Sequence, residues 1–332
     1  MAEIEAQIAR VAAVLARAVG GDIEVTAMTA LSGGAASATW AVDAVRDGTP
    51  WPLILQCAAA GERGEGMAKA TQAALQMLAF RHGLPVAEVV AVLAPGDGLG
   101  AGFVMARIDG EALAPRWLKL PAYAAARDRL TGQMATTLAR LHAIPMAEGA
   151  AIGLTGQSSA AQLATSFDHY RHFGVNSPTF DLAFAWLRER VADRSPSVIV
   201  HGDYRSGNII VDEGGLAAVL DWELAHLGSP IEDIGWLCAS AWRFGQWQKP
   251  VGGFGERQAF YDAYAAAGGV AVDPAEARVW EVWANLRWGL SCLQLGDDHV
   301  SGRVPSVERA AIGRRVTEVE LDLLHLIRFG DI

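Results

Sequence analysis

Two aspartates and one asparagine lie close together in the segment VIVHGDYRSGNIIVDEGGLAAVLDWE, which begins at Val198. Four residues separate Asp203 from Asn208, and Asp221 follows Asn208 by thirteen residues. Phosphoryl transfer uses such a set, because one carboxylate orients the acceptor hydroxyl while an amide oxygen and a second carboxylate hold Mg²⁺ against nucleotide phosphates. The three side chains are therefore candidates for phosphoryl-transfer chemistry.

Apolar runs around these polar residues predict the short strands that position them. One run, Val198–Val200, leads into the loop that carries Asp203, and a second begins at Asn208. The turn over 212–215 predicts a hairpin between this second run and a third that ends at Asp221. With Asn208 on one strand and Asp221 on its partner, we expect both side chains at one edge of the hairpin.

The rest of the chain divides into a mostly β part and a mostly helical part. Residues 22–57 predict three strands, 65–82 a helix that ends at Gly83, and 87–108 two further strands. From Pro115 onward, amphipathic stretches predominate, at 117–142, 159–173, 179–194, 230–243, 256–267, 274–295 and 305–328.

These elements predict an α+β chain with a bilobal architecture. Residues 1–108 would form an N-terminal lobe, an antiparallel five-stranded sheet with a helix. Residues 109–332 would form a mainly α-helical C-terminal lobe that contains the loop with Asp203. A chain of 332 residues is long enough for two such lobes.

The composition excludes several classes of protein. Hydrophobic residues make up 52% of the chain and charged residues 19%, which is typical of a folded protein with a large core. A net charge of −10 argues against nucleic acid as a partner. The three cysteines show no CxxC spacing, so we predict neither a disulfide framework nor a zinc site. The sequence shows no signal-peptide pattern and no apolar membrane span, so we expect a cytoplasmic protein that does not bind membranes. The sequence does not indicate the oligomeric state.

Several segments resemble the aminoglycoside phosphotransferase/choline kinase-like family. HGDYRSGNIIVD with AVLDWELAHLGSPIEDIGWL is similar to its central motif, and in particular to the subgroup resembling the kinase-like domain fused to some acyl-CoA dehydrogenases. LSGGAASATW resembles the family's phosphate-covering turn, FVMARIDG its lobe connector and LARLHAIP the helix before its catalytic loop. The resemblance implies a protein-kinase-like fold and a small-molecule phosphotransferase that moves the γ-phosphate of ATP to an acceptor hydroxyl.

The resemblance also implies individual roles. Asp203 would be the catalytic carboxylate, Asn208 and Asp221 the Mg²⁺ ligands, and Arg205 a cation that reaches the transferring phosphate. The cofactor-binding residues for ATP would be Ser32, Gly33, Gly34, Ser37, Gln56, Met105 and Arg107. Asp233 would accept hydrogen bonds from the backbone of the catalytic loop.

Two positions depart from the family pattern. The third strand usually carries a Lys or Arg that contacts the nucleotide phosphates, but Gln56 stands there; the next helix usually offers a Glu partner, but that position is Gln72. Lys69, three residues before Gln72, could replace the cation, as could Arg63, or Lys69 could be an ordinary surface lysine. The departure leaves an alternative function open, a kinase-like binding protein that transfers no phosphate.

A group of tryptophans follows the central motif and bears on the acceptor. Trp280, Trp283 and Trp288 recur near helical spacing, with Trp242 and Trp247 upstream. Such a stripe is typical of a hydrophobic core, and it could also stack on a ligand. An apolar, Trp-lined pocket would suit a hydroxylated acyl or aromatic compound better than a polycationic antibiotic.

Overall fold

The structure is a computed structural model that describes residues 2–31, 37–58 and 66–331. The expected phosphate-covering residues Ser32, Gly33 and Gly34 lie outside the described residues, as does Arg63. Ser37 is the first residue of a strand. Within the described ranges, no helix is both long and apolar enough to cross a membrane.

The N-terminal part is an antiparallel sheet with two helices. Its elements are α1 (Ala2–Val19), β1 (Ile23–Leu31), β2 (Ser37–Arg46), β3 (Thr49–Ala58), α2 (Lys69–Arg81), β4 (Val89–Val92) and β5 (Gly102–Ala106). The five strands are arranged in the order β1-β2-β3-β5-β4. The predicted five-stranded antiparallel sheet with a helix is confirmed.

The alternation of side chains along β3 assigns its two faces. Leu53, Leu55 and Cys57 are buried in one cluster with Val11 and Val14 of α1. Successive residues of a strand point to opposite faces, so the intervening residues face away from α1. One face of the sheet is therefore covered by α1.

The opposite face of the sheet faces α2 and carries Gln56. Gln56 pairs with Phe103 of β5, and Ile54 pairs with Met105, so these four side chains share a face. Gln76 of α2 brings its Nε2 within 3.3 Å of the Met105 sulfur. Gln56 therefore lies on the side of the sheet that faces α2.

The C-terminal part is mainly helical, as the sequence predicts. Its helices are α3 (Ala114–Trp117), α4 (Ala124–His142), α5 (Met146–Ala151), α6 (Ser159–His172), α7 (Pro178–Arg188), α8 (Pro230–Cys238), α9 (Arg257–Ala266), α10 (Pro274–Val300), α11 (Val307–Gly313) and α12 (Val316–Phe329). Two short antiparallel pairs interrupt them, β6 (Val198–Val200) with β9 (His226–Gly228), and β7 (Ile209–Asp212) with β8 (Gly215–Val219).

Two predicted helices differ from the observed ones. The helix predicted over 117–142 begins only at Ala124, after a 3₁₀ turn at Pro121–Tyr123, because proline restricts the preceding residue and cannot donate a helical hydrogen bond. The helix predicted over 305–328 is divided into α11 and α12. The division follows Gly313, whose backbone packs so closely on Gly296 that a side chain would not fit.

The larger hydrophobic core joins α2 to the helical part. Leu75 and Leu78 of α2 belong to the same buried cluster as Leu138 of α4 and Val219 of β8. The backbone N–H of Val219 also donates to the Pro85 carbonyl at 2.7 Å. Helix α2 thus packs with the helical part although it belongs to residues 1–108. The division of the chain into residues 1–108 and 109–332 stays a prediction.

Leu138 offers a test of this core. It is fully buried, so Leu138→Ala removes apolar surface and leaves a cavity between α4 and its neighbours. We expect the free energy of unfolding to fall by about 2–5 kcal/mol in urea titrations. The control Leu321→Ala on α12, where the side chain is 57% exposed, should change it by less than about 0.5 kcal/mol. Equal losses in the two variants would contradict the core described here.

Candidate active site

The loop between β6 and β7 carries the central motif. All three residues of β6 are buried, which anchors the start of the loop. The loop ends in a 3₁₀ turn, Ser206–Asn208, directly before β7. Asn208 therefore lies at the end of this turn and not on the strand as predicted, because β7 begins one residue later.

The carboxylate of Asp203 is held by three donors. Its Oδ1 accepts a hydrogen bond from Trp236 Nε1 at 2.6 Å and from Arg205 Nε at 2.9 Å. Its Oδ2 accepts from Asn208 Nδ2 at 2.6 Å. Only 8% of Asp203 is exposed, so this carboxylate has a defined orientation.

Asp221 lies just beyond β8, where the predicted hairpin partner ends. Its φ of 63° is in the left-handed region, which is uncommon for a residue other than glycine. The side chain is exposed, yet the surrounding protein and the negative charge of Asp203 raise the pKa of Asp221. The positive charges of Arg205 and Lys69 act in the opposite direction. The carboxylates of Asp203 and Asp221 are thus close enough to repel each other.

The donor set of Asp203, Asn208 and Asp221 fits Mg²⁺ held partly by a substrate. Two carboxylates that repel each other favour a divalent cation between or beside them. The described residues contain no group of three His, Cys, Asp or Glu side chains that could hold a metal without help. Mg²⁺ needs no such group, since it is usually bound by one or two carboxylates together with substrate phosphates.

His201 braces the catalytic loop. Its Nδ1 accepts the backbone N–H of Asp203 at 3.2 Å, and its Nε2 lies 3.0 Å from the Leu220 carbonyl. These contacts require a neutral ring with the hydrogen on Nε2, and burial lowers the pKa of His201 in agreement. His201 therefore links the loop to the residue before Asp221.

Asp233 of α8 holds the first residues of the loop. Its two oxygens accept the backbone N–H groups of His201 at 2.8 Å and Gly202 at 2.9 Å. Although burial opposes ionisation, hydrogen bonds from His142 and from the His201 backbone keep the pKa of Asp233 below its usual value. The predicted role of Asp233 as acceptor for the loop backbone is confirmed.

The other predicted cofactor-binding residues lie on the α2-facing side of the sheet. Gln56 and Met105 share this face through the β3–β5 register. Arg107 follows β5 and its Nη1 bonds to Asp43 Oδ1 at 2.9 Å. Arg107 is thus engaged with β2, on the far side of β3, and the nucleotide-binding role of these residues stays a prediction.

Lys69 is a buried lysine and not an ordinary surface residue. It is 6% exposed, and its Nζ donates a hydrogen bond to Gln72 Oε1 at 2.9 Å. Gln72 in turn donates from Nε2 to the Met67 carbonyl at 3.2 Å. The interpretation of Lys69 as a solvated surface lysine is wrong, because the first turn of α2 packs against the protein.

The predicted tryptophan stripe is both core and cavity wall. Trp280 and Trp283 are buried and stacked, with ring centroids 4.6 Å apart. Together with Trp236 and Arg287 they line a cavity of about 30 Å³, room for little more than a water molecule. Trp247 takes no part, since it is 56% exposed.

A buried ion pair forms part of the same wall. Arg287 Nη1 bonds to Glu232 Oε1 at 2.8 Å, and its guanidinium stacks over the Trp236 ring. A second nitrogen of Arg287 donates to the Gly202 carbonyl. Although burial opposes ionisation, the hydrogen bond and charge of His226 and the charge of Arg287 hold the pKa of Glu232 below its usual value. The wall therefore contains a positive and a negative charge that largely cancel each other.

A family model described as the phosphotransferase enzyme family matches residues 27–283, well over half of the chain. The match includes the Asp203 loop, Asp221 and Asp233, whose geometry is described above. The chain belongs to this phosphotransferase family. The resemblance of the central motif is thereby confirmed.

Relatives and solved structures agree with this assignment. Acyl-CoA dehydrogenase family member 11 of Mus musculus is 29% identical over 175 residues, 49% of this chain and 22% of that protein. 4-Hydroxytryptamine kinase of Psilocybe cyanescens is 28% identical over 119 residues, 34% of this chain and 33% of that protein. The chain spans only 11% to 24% of the length of the acyl-CoA dehydrogenase relatives.

Two solved structures illustrate the shared fold. A Ralstonia eutropha protein, provisionally an aminoglycoside phosphotransferase, has a TM-score of 0.71 at 19% identity and covers 94% of this chain and 95% of its own. The GDP and kanamycin complex of APH(2")-IIia has a TM-score of 0.63 at 15% identity and covers 93% and 97%. At these identities the likeness shows the kinase-like fold alone.

Several residues of this candidate site were missed by sequence reasoning. Trp236, which bonds to Asp203, could have been found, because it stands three residues after Asp233 and so shares a helix face with it. Glu232 and Arg287 gave no such signal, since 55 residues separate them in the chain. Their pairing depends on how α8 packs against α10.

Gly202 offers a test of the loop geometry. Its φ is +80°, and a side chain would collide with the Leu224 carbonyl. We expect Gly202→Ala to lower the free energy of unfolding by about 2 kcal/mol or more, measured by urea titration. The matched control is Gly132→Ala in α4, where nothing lies within 4 Å of an added Cβ. That change should leave stability unchanged or raise it by about 0.5–1 kcal/mol, and a similar loss in both variants would contradict the loop geometry.

Proposed function

We propose that the protein transfers the γ-phosphate of ATP to a hydroxyl of a small molecule in a Mg²⁺-dependent reaction. The observation that carries the proposal is the oriented carboxylate of Asp203, held by Trp236 and close enough to Asp221 to affect its ionisation. Membership of the phosphotransferase family supports the reaction class. An ATP-dependent reaction and three buried free cysteines fit the cytoplasmic location that we expect from the sequence.

Asp203 would orient the acceptor hydroxyl and accept its proton. The three hydrogen bonds to its oxygens fix the carboxylate before the acceptor arrives. Catalysis of phosphoryl transfer depends mainly on such positioning and on stabilisation of charge. The Trp236 and Asn208 contacts are therefore part of the proposed mechanism.

Asn208 and Asp221 are the proposed Mg²⁺ ligands. Asn208 uses its amide nitrogen to donate to Asp203, so its amide oxygen, the atom a cation would use, lies on the other side of the group. When bound, Mg²⁺ would neutralise charge on the nucleotide phosphates. The GDP complex of a protein with the same fold supports a nucleotide as the phosphate-bearing ligand.

Arg205 is proposed to contact the transferring phosphate. It binds Asp203 through Nε, and its guanidinium stacks over Trp242 with 4.5 Å to the ring centroid. Gly207 leaves space for Nη1, because an added Cβ would collide with that nitrogen. The terminal nitrogens are thus separated from the Asp203 contact and suited to bind phosphate oxygens.

The remaining nucleotide contacts are proposed for the N-terminal part. Backbone N–H groups and hydroxyls of the segment that joins β1 to β2 would cover the phosphates. The residues proposed for nucleotide binding are Ser32, Gly33, Gly34, Ser37, Gln56, Met105 and Arg107. They agree with the family's pattern except at Gln56, where an amide replaces a cation.

The acceptor is proposed to be a small hydroxylated compound with a compact apolar or aromatic group. The cavity lined by Trp236, whose indole bonds to Asp203, is also walled by Trp280 and Trp283. Its volume of about 30 Å³ admits little more than a water molecule, so only a small group of the acceptor would enter it. Arg287 balances Glu232, so the wall would not attract a polycation such as kanamycin, the ligand of the APH(2")-IIia complex. The name 4-hydroxytryptamine kinase shows that one relative acts on a compact hydroxylated compound. Proteins of one fold act on many different acceptors, so the chemistry of this wall, and not the fold, indicates the class of acceptor.

Two indole groups could hold the acceptor's polar atoms. The Nε1 atoms of Trp242 and Trp288 are buried and have no hydrogen-bond partner among the described residues. Unpaired buried donors are costly, and a ligand oxygen would satisfy them. Their rings pack together, with centroids 4.9 Å apart, beside Arg205.

A second candidate is a kinase-like binding protein that does not transfer phosphate. The observation that favours it is the pair of amides, Gln56 and Gln72, at positions where the family has an ion pair. Retention of Asp203, Asn208 and Asp221 together favours the enzyme, since a binding protein has no use for the full transfer set.

Calorimetric titration with ATP, with and without Mg²⁺, separates the two candidates. We expect the wild type to bind ATP in a Mg²⁺-dependent manner and Asp221→Asn to lose that dependence. Asp203→Asn should keep Mg²⁺-dependent binding but slow phosphate transfer in an acceptor screen by about 100-fold or more. No binding by the wild type at millimolar ATP would refute the proposed enzyme and favour the binding protein.

A further inference from the structure

A partly buried aspartate of the last helix has no role in the proposed reaction. Asp322 lies on α12, and its carboxyl group faces the short 3₁₀ turn Ser240–Arg243, which follows α8. Its Oδ2 lies within hydrogen-bond distance of the Ser240 hydroxyl. Ser240 is only 4% exposed, so this hydroxyl has to find its partners within the protein.

The Ser240 hydroxyl also contacts a second side chain. Its oxygen lies 2.8 Å from Oδ1 of Asn285, on α10. The same Oδ1 accepts the backbone N–H of Ser240 at 3.3 Å, as an oxygen can and an amide nitrogen cannot. The amide nitrogen of Asn285 donates to the Glu281 carbonyl at 2.8 Å, which fixes the orientation of the group. The Ser240 hydroxyl therefore lies between two oxygen atoms, Asn285 Oδ1 and Asp322 Oδ2.

A single hydroxyl hydrogen cannot serve both of these oxygens. A serine hydroxyl donates one hydrogen bond and can accept others, whereas an ionised carboxylate can only accept. Because Asn285 is an acceptor here, both contacts are satisfied when Asp322 is protonated and donates to the Ser240 oxygen. An ionised Asp322 would leave two acceptors for one hydrogen, and an unsatisfied buried acceptor costs stability.

The charges around Asp322 act in both directions. Burial raises the pKa of Asp322, and the negative charge of Glu318 on the same helix adds to this effect. The hydrogen bond to the carboxyl group and the positive charges of Arg243 and His325 oppose it. Arg243 is itself bonded to Glu281 of α10 at 3.0 Å, so its charge is shared with another carboxylate. The hydrogen-bond geometry and the direction of the pKa thus both favour the neutral form.

The turn that Asp322 contacts also supports the candidate active site. The backbone carbonyl of Trp242, in this turn, accepts a hydrogen bond from the Ser206 hydroxyl of the catalytic loop at 2.6 Å. The Trp242 ring lies under the guanidinium of Arg205, at 4.5 Å from the ring centroid. Contacts that hold this turn against α10 and α12 therefore also hold the second half of the catalytic loop.

We propose that Asp322 is protonated in the folded protein near neutral pH and positions the catalytic loop through Ser240 and Trp242. The carboxyl group donates its hydrogen to the Ser240 oxygen, and the Ser240 hydrogen goes to Asn285. When Asp322 loses its proton to solvent at higher pH, this chain of hydrogen bonds is broken and the turn that carries Trp242 loosens. The consequence for phosphate transfer rests on the proposed function, whereas the protonation and the loosening can be measured without it.

Asp322→Asn tests the protonation state, because an asparagine amide can donate to Ser240 as a neutral carboxyl group does, and it cannot ionise. A group whose pKa is raised by folding contributes stability at low pH that is lost as the pH rises through the folded-state pKa. We measure unfolding of both proteins in urea between about pH 5 and 9. The ratio of unfolding equilibrium constants, wild type over variant, should increase with pH by at most about tenfold per unit and then level off.

The matched control is Asp128→Asn, which replaces an exposed aspartate of α4 and changes the net charge by the same amount. Its ratio should not change over this pH range. A ratio for Asp322→Asn that stays constant or falls with pH would overturn the proposal, because an ionised Asp322 stabilised by Arg243 predicts those results. Failure of Asp322→Asn to fold would overturn it as well, since an amide would then not replace the carboxyl group.

Hydrogen exchange followed by mass spectrometry tests the link to the catalytic loop. Wild type and Asp322→Asn are compared at the same pH, so that intrinsic exchange rates cancel. Near about pH 9 we expect residues 203–208 and 240–244 to exchange about 3- to 10-fold faster in the wild type, and near about pH 6 at equal rates. Helix α6 should exchange equally in both proteins.

Equal exchange of residues 203–208 in the two proteins at both pH values would overturn the positioning role. Faster exchange of α6 to the same extent would also overturn it, because the whole protein would then be loosened and not the loop. Neither measurement uses ATP. Absence of ATP binding by the wild type would therefore refute the proposed function without changing these outcomes.

Discussion

The carboxylate of Asp233 is the contact on which the candidate site depends. It is fully buried and receives the backbone N–H groups of His201 and Gly202, so it fixes the path of the chain immediately before Asp203. A buried carboxylate tolerates burial only when its oxygens are satisfied in this way. The positive φ of Gly202 and the neutral ring of His201 follow from that path. The direction of the Asp203 side chain is therefore set from within the core.

Most charged side chains around Asp233 lie beside a side chain of opposite charge. Arg287 balances Glu232 in the acceptor wall, and Arg205 lies against Asp203. Asp221 is a carboxylate whose surroundings oppose ionisation, through the protein around it and the charge of Asp203. Such an imbalance suits a position that meets a cation during function. The distribution of charge thus distinguishes the proposed metal side of the cleft from the acceptor side.

Much of this arrangement could be predicted from the sequence because it depends on local patterns. Alternation along β3 and the turn at 212–215 determine strand faces and pairing, and the spacing of the central motif predicts that Asp203 and Asp221 lie close together. Long-range packing could not be predicted in the same way. Whether Lys69 is buried depends on which side of α2 meets the protein, and helix periodicity alone does not decide that.

The difficulty of predicting long-range packing also explains the other contacts that the sequence did not predict. The contact between Trp236 and Asp203 needs α8 to lie beside the loop, and the pairing of Arg287 with Glu232 needs α10 to cross α8. The break after Gly313 depends on a close approach to Gly296 from a different helix. Each of these is a contact between elements far apart in the chain, for which hydrophobic periodicity carries no signal.

The packing of α2 has a mechanical consequence. Leu75 and Leu78 tie this helix to the core that also contains Val219, two residues before Asp221. The sheet with α1 has its own separate core. Helix α2 also contacts the sheet, since Gln76 Nε2 lies 3.3 Å from the Met105 sulfur. Any movement of the sheet relative to the helical part would therefore strain contacts of α2 on one side or the other.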